Sequence, residues 1–151
     1  MKKPKKVHQR MREKVVLRVV SKFLIPFIML FAFYVQFHGD YGPGGGFQAG
    51  VILAAAYILF GLIYGLDAMQ KAAPPRLVET QMALGVLIYG GVGVFTLLQG
   101  GRFLEYGTID LHHPSHGHHL GILWIEGGVG ITVAASMIAI FNAFATRGKM
   151  K

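Results

Sequence analysis

One carboxylate stands alone inside a long apolar run. Glu126 is preceded by LGILWI and followed by GGVGITVAASMIAIF. A charged side chain in hydrocarbon is costly, so such residues usually face protein or water and mark ion paths and proton relays. Desolvation favours the protonated carboxyl, whereas a nearby Na⁺ or lysine favours the carboxylate. A group held between those tendencies can exchange a proton for a cation. Gly127, Gly128 and Gly130 leave room beside it for water or a neighbouring helix. The plainer alternative is a carboxyl hydrated from the surface, or permanently protonated, with a structural role only.

Two other groups of residues have types and spacing that suit chemistry. Lys14, Arg18 and Lys22 recur every four residues and therefore share one helix face. Lys22 either snorkels to headgroups or pairs with an acid of another subunit. The stretch HHPSHGHH, residues 112–119, holds five imidazoles. His112, His116 and His119 are candidate ligands for one Zn²⁺, because neutral imidazole is a common ligand. Against that, Pro114 and Gly117 interrupt the spacing, no cysteine assists, and Asp110 is the one nearby acid. A solvated loop and a proton-collecting surface are the other readings. A b-type haem needs histidines within helices, usually on two of them. Only His38, at the rim of an apolar run, approaches that.

The stretch HGDYGPGGGFQAG, residues 38–50, is the most glycine-dense part of the chain. GGGFQA formally fits the dinucleotide pattern G-x-G-x-x-A, but that pattern needs a preceding strand and an acid about 20 residues on. A 23-residue apolar run precedes it instead, and no lysine follows the glycines as a phosphate loop requires. Two compatible readings remain. Pro43, Gly44, Gly45, Gly46 and Phe47 form a tight turn that opens a helix, with proline near its start where it is tolerated. Alternatively, the exposed amides at that helix start make a positive end that faces a water-filled path. Gly46, Gly50 and Ala54 continue as a small-residue stripe at the spacing of membrane helix contacts.

The elements that must position these residues follow from composition. Hydrophobic residues make up 53% of the 151-residue chain and charged residues 15%, well below the roughly 25% charged fraction of soluble domains. A bilayer-spanning helix needs about 20 apolar residues. Spans are expected at 15–37, 46–66, 77–98 and 120–144, with a basic arm at 1–14 and a tail at 145–151. The expected fold class is an all-α integral membrane protein of four transmembrane helices. The apolar runs are continuous, which disfavours the alternating segments of a membrane barrel. The first run lacks a small-x-small cleavage site after it and reads as an uncleaved helix.

Charge placement sets the orientation and the partners. Net charge is +8, but nine of the 15 lysines and arginines fall within the first 22 residues, next to an apolar run. That is the pattern of a cytoplasmic anchor on anionic lipid, not of nucleic-acid binding. With both termini cytoplasmic, 14 of the 15 basic residues lie inside and only Arg102 outside. The chain has no cysteine, which excludes disulfides and thiolate metal sites.

Several of these stretches together carry a likeness. A first helix ending in FHG, then PGGGFQAGVILA opening the second, resembles the MrpB/MnhB family, one of the membrane subunits of the multi-subunit Mrp-type (also called Mnh) sodium/proton antiporters. The fourth-helix sequence Ile-Glu-Gly-Gly-Val also fits, and the resemblance covers nearly the whole chain. The histidine-rich third loop is not part of that pattern. The resemblance implies a non-catalytic, multi-pass subunit of the cell (plasma) membrane within a hetero-oligomer. It would aid assembly and line a sodium or proton path, with no cofactor and with Na⁺ and protons as transported species. Two alternatives stay open. One is a membrane-arm subunit of a related hydrogenase or respiratory complex. The other is a metal transporter or sensor using the histidine loop. The candidate site residues are Glu126 and Lys22 as intramembrane charges, residues 43–47 as the helix opening, Gly50 and Ala54 as packing positions, and the three histidines as metal ligands.

Overall fold

A computed structural model describes residues 15–39 and 44–149. Pro43, Lys14 with the rest of the 1–14 arm, and residues 150–151 of the tail lie outside the described residues. The chain is helical: α1 Val15–Phe37, α2 Gly46–Tyr64, α3 Leu66–Ala72, α4 Pro75–Leu98 and α5 Pro114–Lys149, with a 3₁₀ turn at Tyr106–Thr108. Four of these, all but α3, are long and apolar enough to cross a membrane.

The spans begin and end on backbone chemistry that hydropathy does not report. Hydropathy carries the second span to residue 66, but α2 stops at Tyr64 because Gly65 takes φ 96°, a conformation that favours glycine. Loop two is largely the short helix α3. The third span starts at Pro75 rather than residue 77, since proline at the first helical position forfeits no intrahelical hydrogen bond. The fourth differs most. Hydropathy places it at 120–144 after a loop through residue 119, yet α5 runs from Pro114 to Lys149, 36 residues. At 1.5 Å per residue that is about 54 Å, well beyond a hydrocarbon core of about 30 Å. α5 is therefore longer than a hydrocarbon core requires. α1 continues through Pro26, as membrane helices allow where neighbours and side chains re-satisfy the backbone.

α5 is the central element, packed between α2 and α4, while α1 lies along α2 and touches α5 only lightly. Small residues make these contacts. In lipid there is little hydrophobic force between helices, so close van der Waals approach carries the association. A Cβ at Gly50 would lie 2.6 Å from the Gly130 carbonyl oxygen, and one at Gly85 would lie 2.6 Å from that of Gly128. The glycines of α5 are thus approached from two sides, by α2 and by α4. α3 closes one end of the bundle. Leu66 and Met69 join Ala54, Val78, Ala135 and Ile138 in the core, and Tyr57 Oη donates to the Met69 carbonyl at 2.6 Å.

The opposite end is closed by the segment after α4. Thr96 Oγ1 donates to the Gly93 carbonyl at 2.9 Å and accepts from Leu104 N–H at 3.0 Å. Tyr106 sits on Gly121, whose absent Cβ would meet its ring at 2.5 Å. Asp110 then sets the start of α5. Its Oδ1 accepts from the amides of His112 and His113, each at 3.1 Å. Those bonds and the His116 ring hold its carboxyl below the ordinary 3.8.

Candidate functional site

Glu126 and the glycines at positions 39, 45 and 46, about 80 residues apart in sequence, form one site. Phe37 ends α1, and Gly45 precedes α2 with φ 141° and no side-chain cap. The first four amides of any helix lack intrahelical partners and carry the positive end of the macrodipole. Glu126 of α5 lies against this helix start. A Cβ at Gly39 would lie 2.7 Å from Glu126 Oε1, and one at Gly45 would lie 3.1 Å from the same oxygen. A Cβ at Gly46 would fall on the Glu126 carbonyl. Gly46 is held to glycine by the α5 backbone and Gly45 by its positive φ, whereas a side chain at Gly39 would displace the flexible end of Glu126.

Glu126 is partly buried. It stands 12 residues past Pro114, about 18 Å along α5, whereas a start at Leu120 implies about 9 Å. Its level in the bundle is that of the turn between α1 and α2. The carboxylate therefore lies beside the start of α2. One turn further along α5, a Cβ at Gly130 would lie 2.7 Å from Gln36 Oε1. Gln36 Nε2 is buried without a hydrogen-bond partner among the described residues. Gln36 also borders an apolar groove of about 320 Å³, with Phe33, Trp124 and Gly127 on its walls.

The remaining candidates fall elsewhere. Gly44 packs on α1, where its Cβ would lie 2.8 Å from the Val35 carbonyl oxygen. Phe47, in the first turn of α2, is 60% exposed. Gly50 and Ala54 face α5, Gly50 against Gly130 and Val133, and Ala54 within the core. Lys22 is exposed near the other end of α1, 17 residues from Gly39, or about 25 Å. The structure thus separates Lys22 from Glu126. The histidines do not gather either: among the described residues no three His, Asp or Glu side chains are placed to hold a metal ion. His112 is engaged through its amide to Asp110, and the His116 ring faces the Asp110 carboxylate at 3.1 Å. Pro114 starts a helix here instead of breaking one, so His116 and His119 lie on the exposed first turns of α5.

Sequence reasoning misses Gln36 and Gly39. Gln36 is visible as the one amide in the apolar run FAFYVQF. Gly39 belongs to the glycine-rich stretch, but nothing local marks it as a neighbour of the carboxylate.

Four helices long and apolar enough to cross a membrane, with the Glu126 carboxylate against the glycines at a helix start, are the architecture of a multi-span membrane protein. A family model described as "Domain related to MnhB subunit of Na+/H+ antiporter" matches residues 16–139, and the chain belongs to that MnhB family. Relatives carry the name "Putative antiporter subunit mnhB2". The protein of Staphylococcus aureus (strain MRSA252) is 33% identical over 132 residues, 82% of this chain and 93% of the relative. That of Staphylococcus haemolyticus (strain JCSC1435) is 31% identical over 131 residues, covering 85% and 92%. That of Staphylococcus epidermidis (strain ATCC 35984) is 33% identical over 132 residues, covering 82% and 93%.

Proposed function

We propose that the chain is a multi-pass subunit of a plasma-membrane Na⁺/H⁺ antiporter complex, that it contributes to assembly, and that Glu126 is a station on an ion path. The observation that carries this reading is the Glu126 carboxylate against Gly39 and Gly45 at the start of α2. The chemistry follows from competing forces. Partial burial disfavours the charged carboxylate. The amide end of α2 favours it. A Na⁺ arriving from water also favours it and can displace the proton. A group poised in this way takes up a proton when the cation leaves and releases it when a cation returns. The other subunits of the complex supply the rest of the path.

Both termini face the cytoplasm in this reading, as the 14-to-1 distribution of basic residues requires. Gly39, Gly45 and Glu126 then face toward the outside. Water reaches the carboxylate from that face, and partner subunits cover the exposed apolar surface of α1.

The test is antiport in everted vesicles. Glu126→Gln is expected to lower Na⁺/H⁺ exchange by roughly tenfold or more, the effect of about 1.4 kcal/mol on a rate-limiting step, while the complex remains intact on blue-native gels. Glu126→Asp is expected to retain part of the activity with a shifted pH optimum. Wild-type exchange and pH profile in the Gln variant would reduce Glu126 to a structural residue. Loss of the complex would make it an inter-subunit contact.

A further inference from the structure

The end of the bundle opposite Glu126 carries a cavity of about 520 Å³ between α1 and α2. Arg18 and Lys22 stand on its α1 wall, one helical turn apart, and Val19 and Pro26 continue that wall. Phe60 and Tyr64 form the α2 wall, their rings tilted with centroids 4.9 Å apart. Tyr64 Oη donates to the Arg18 carbonyl at 3.4 Å and ties the two walls together. Neither the Arg18 nor the Lys22 side chain is ion-paired among the described residues. The cavity is therefore amphipathic along its length. Two cations stand toward the start of α1, and only apolar and aromatic groups lie toward Pro26 and Phe60.

We propose that this cavity binds an anionic phospholipid. Its phosphate sits between the Arg18 guanidinium and the Lys22 ammonium, and one acyl chain runs over Phe60 and Pro26. The depth fits. Arg18 is about 4.5 Å and Lys22 about 10 Å along α1 from Val15, so both heads reach the headgroup layer while their stems cover apolar surface. Charge-assisted hydrogen bonds from a guanidinium to phosphate oxygens are among the strong ones. A carboxylate from another subunit would satisfy the two cations but would leave the apolar floor uncovered. A lipid fills both parts. This goes beyond the ion-path reading and does not depend on Glu126 or on which way the chain is inserted.

The experiment uses the whole antiporter complex in nanodiscs of equal phosphatidylglycerol and phosphatidylcholine. Native mass spectrometry reads which lipid is retained, and a photo-crosslinking amino acid at Val19, which is 61% exposed on the cavity wall, reads what occupies the cavity. Wild type is expected to retain phosphatidylglycerol over phosphatidylcholine and to give a lipid adduct at position 19. Arg18→Gln with Lys22→Gln is expected to weaken that retention roughly thirtyfold, because each basic residue near the surface contributes about fivefold. Arg18→Lys with Lys22→Arg should keep most of it. Equal retention of the two lipids by wild type would overturn the proposal. So would an adduct to another subunit, or a Gln double variant that sheds a subunit and keeps its phosphatidylglycerol. If the double variant fails to accumulate, the wild-type preference and the adduct at position 19 decide the matter alone.

Discussion

Glycine backbone lies against one side of the Glu126 carboxylate. A methyl group at Gly39 would enter the volume of that carboxylate. The carboxylate is the end of a flexible side chain and would move aside, so Gly39→Ala should fold and assemble. It should nonetheless lower Na⁺/H⁺ exchange, by up to about a hundredfold if the displacement approaches 1 Å. Gly90→Ala is the control, since nothing lies within 4 Å of a Cβ there, and exchange should be unchanged. Equal rates for both variants in everted vesicles would mean that the position of the carboxylate does not matter. The acid and the glycines are each legible in the sequence, the acid because it interrupts hydrocarbon and the glycines because they cluster. Their contact is not. It depends on how α1 and α2 pack with α5, and no local pattern encodes that. Lys22 shows the converse: intramembrane by position, it lies too far along α1 to share the site.

At the scale of elements, α5 is gripped from two sides at its glycines. The stripe of Gly46, Gly50 and Ala54 meets it on one face, and Gly85 of α4 meets Gly128 on another. Gly50→Leu would drive a side chain into the Gly130 carbonyl and Val133. Overpacking of this kind costs typically about 1–3 kcal/mol, with backbone contact toward the upper end. The variant subunit should be depleted from the complex on blue-native gels, by tenfold or more at about 1.4 kcal/mol. An undiminished complex would show that α2 and α5 can separate without consequence. The existence of the spans is legible because runs of about 20 apolar residues have few alternatives. Their ends are not, because Pro75 and Pro114 initiate helices where a simple reading treats proline as a break. The histidine stretch reads as loop for the same reason. With Asp110 holding the amides of His112 and His113, those residues serve the start of a helix, and the three candidate ligands do not converge.

At the scale of the whole molecule, four spans fix which ends share a face, and the charge distribution chooses the side. The absence of cysteine makes this directly testable. Single cysteines at positions 40, 71 and 115, labelled with membrane-impermeant maleimide on intact cells, should react at 40 and 115 and be protected at 71. The reverse pattern would turn Glu126 toward the cytoplasm. Exchange of a proton for Na⁺ at the carboxyl of Glu126 is tested most directly by infrared difference spectroscopy of the reconstituted complex. Adding Na⁺ to wild type should remove the carbonyl stretch of a protonated carboxylic acid and raise a carboxylate band. The Glu126→Gln complex should lack that paired change. Na⁺-induced spectra that are identical in the two complexes would contradict the assignment of Glu126 as the exchanging group.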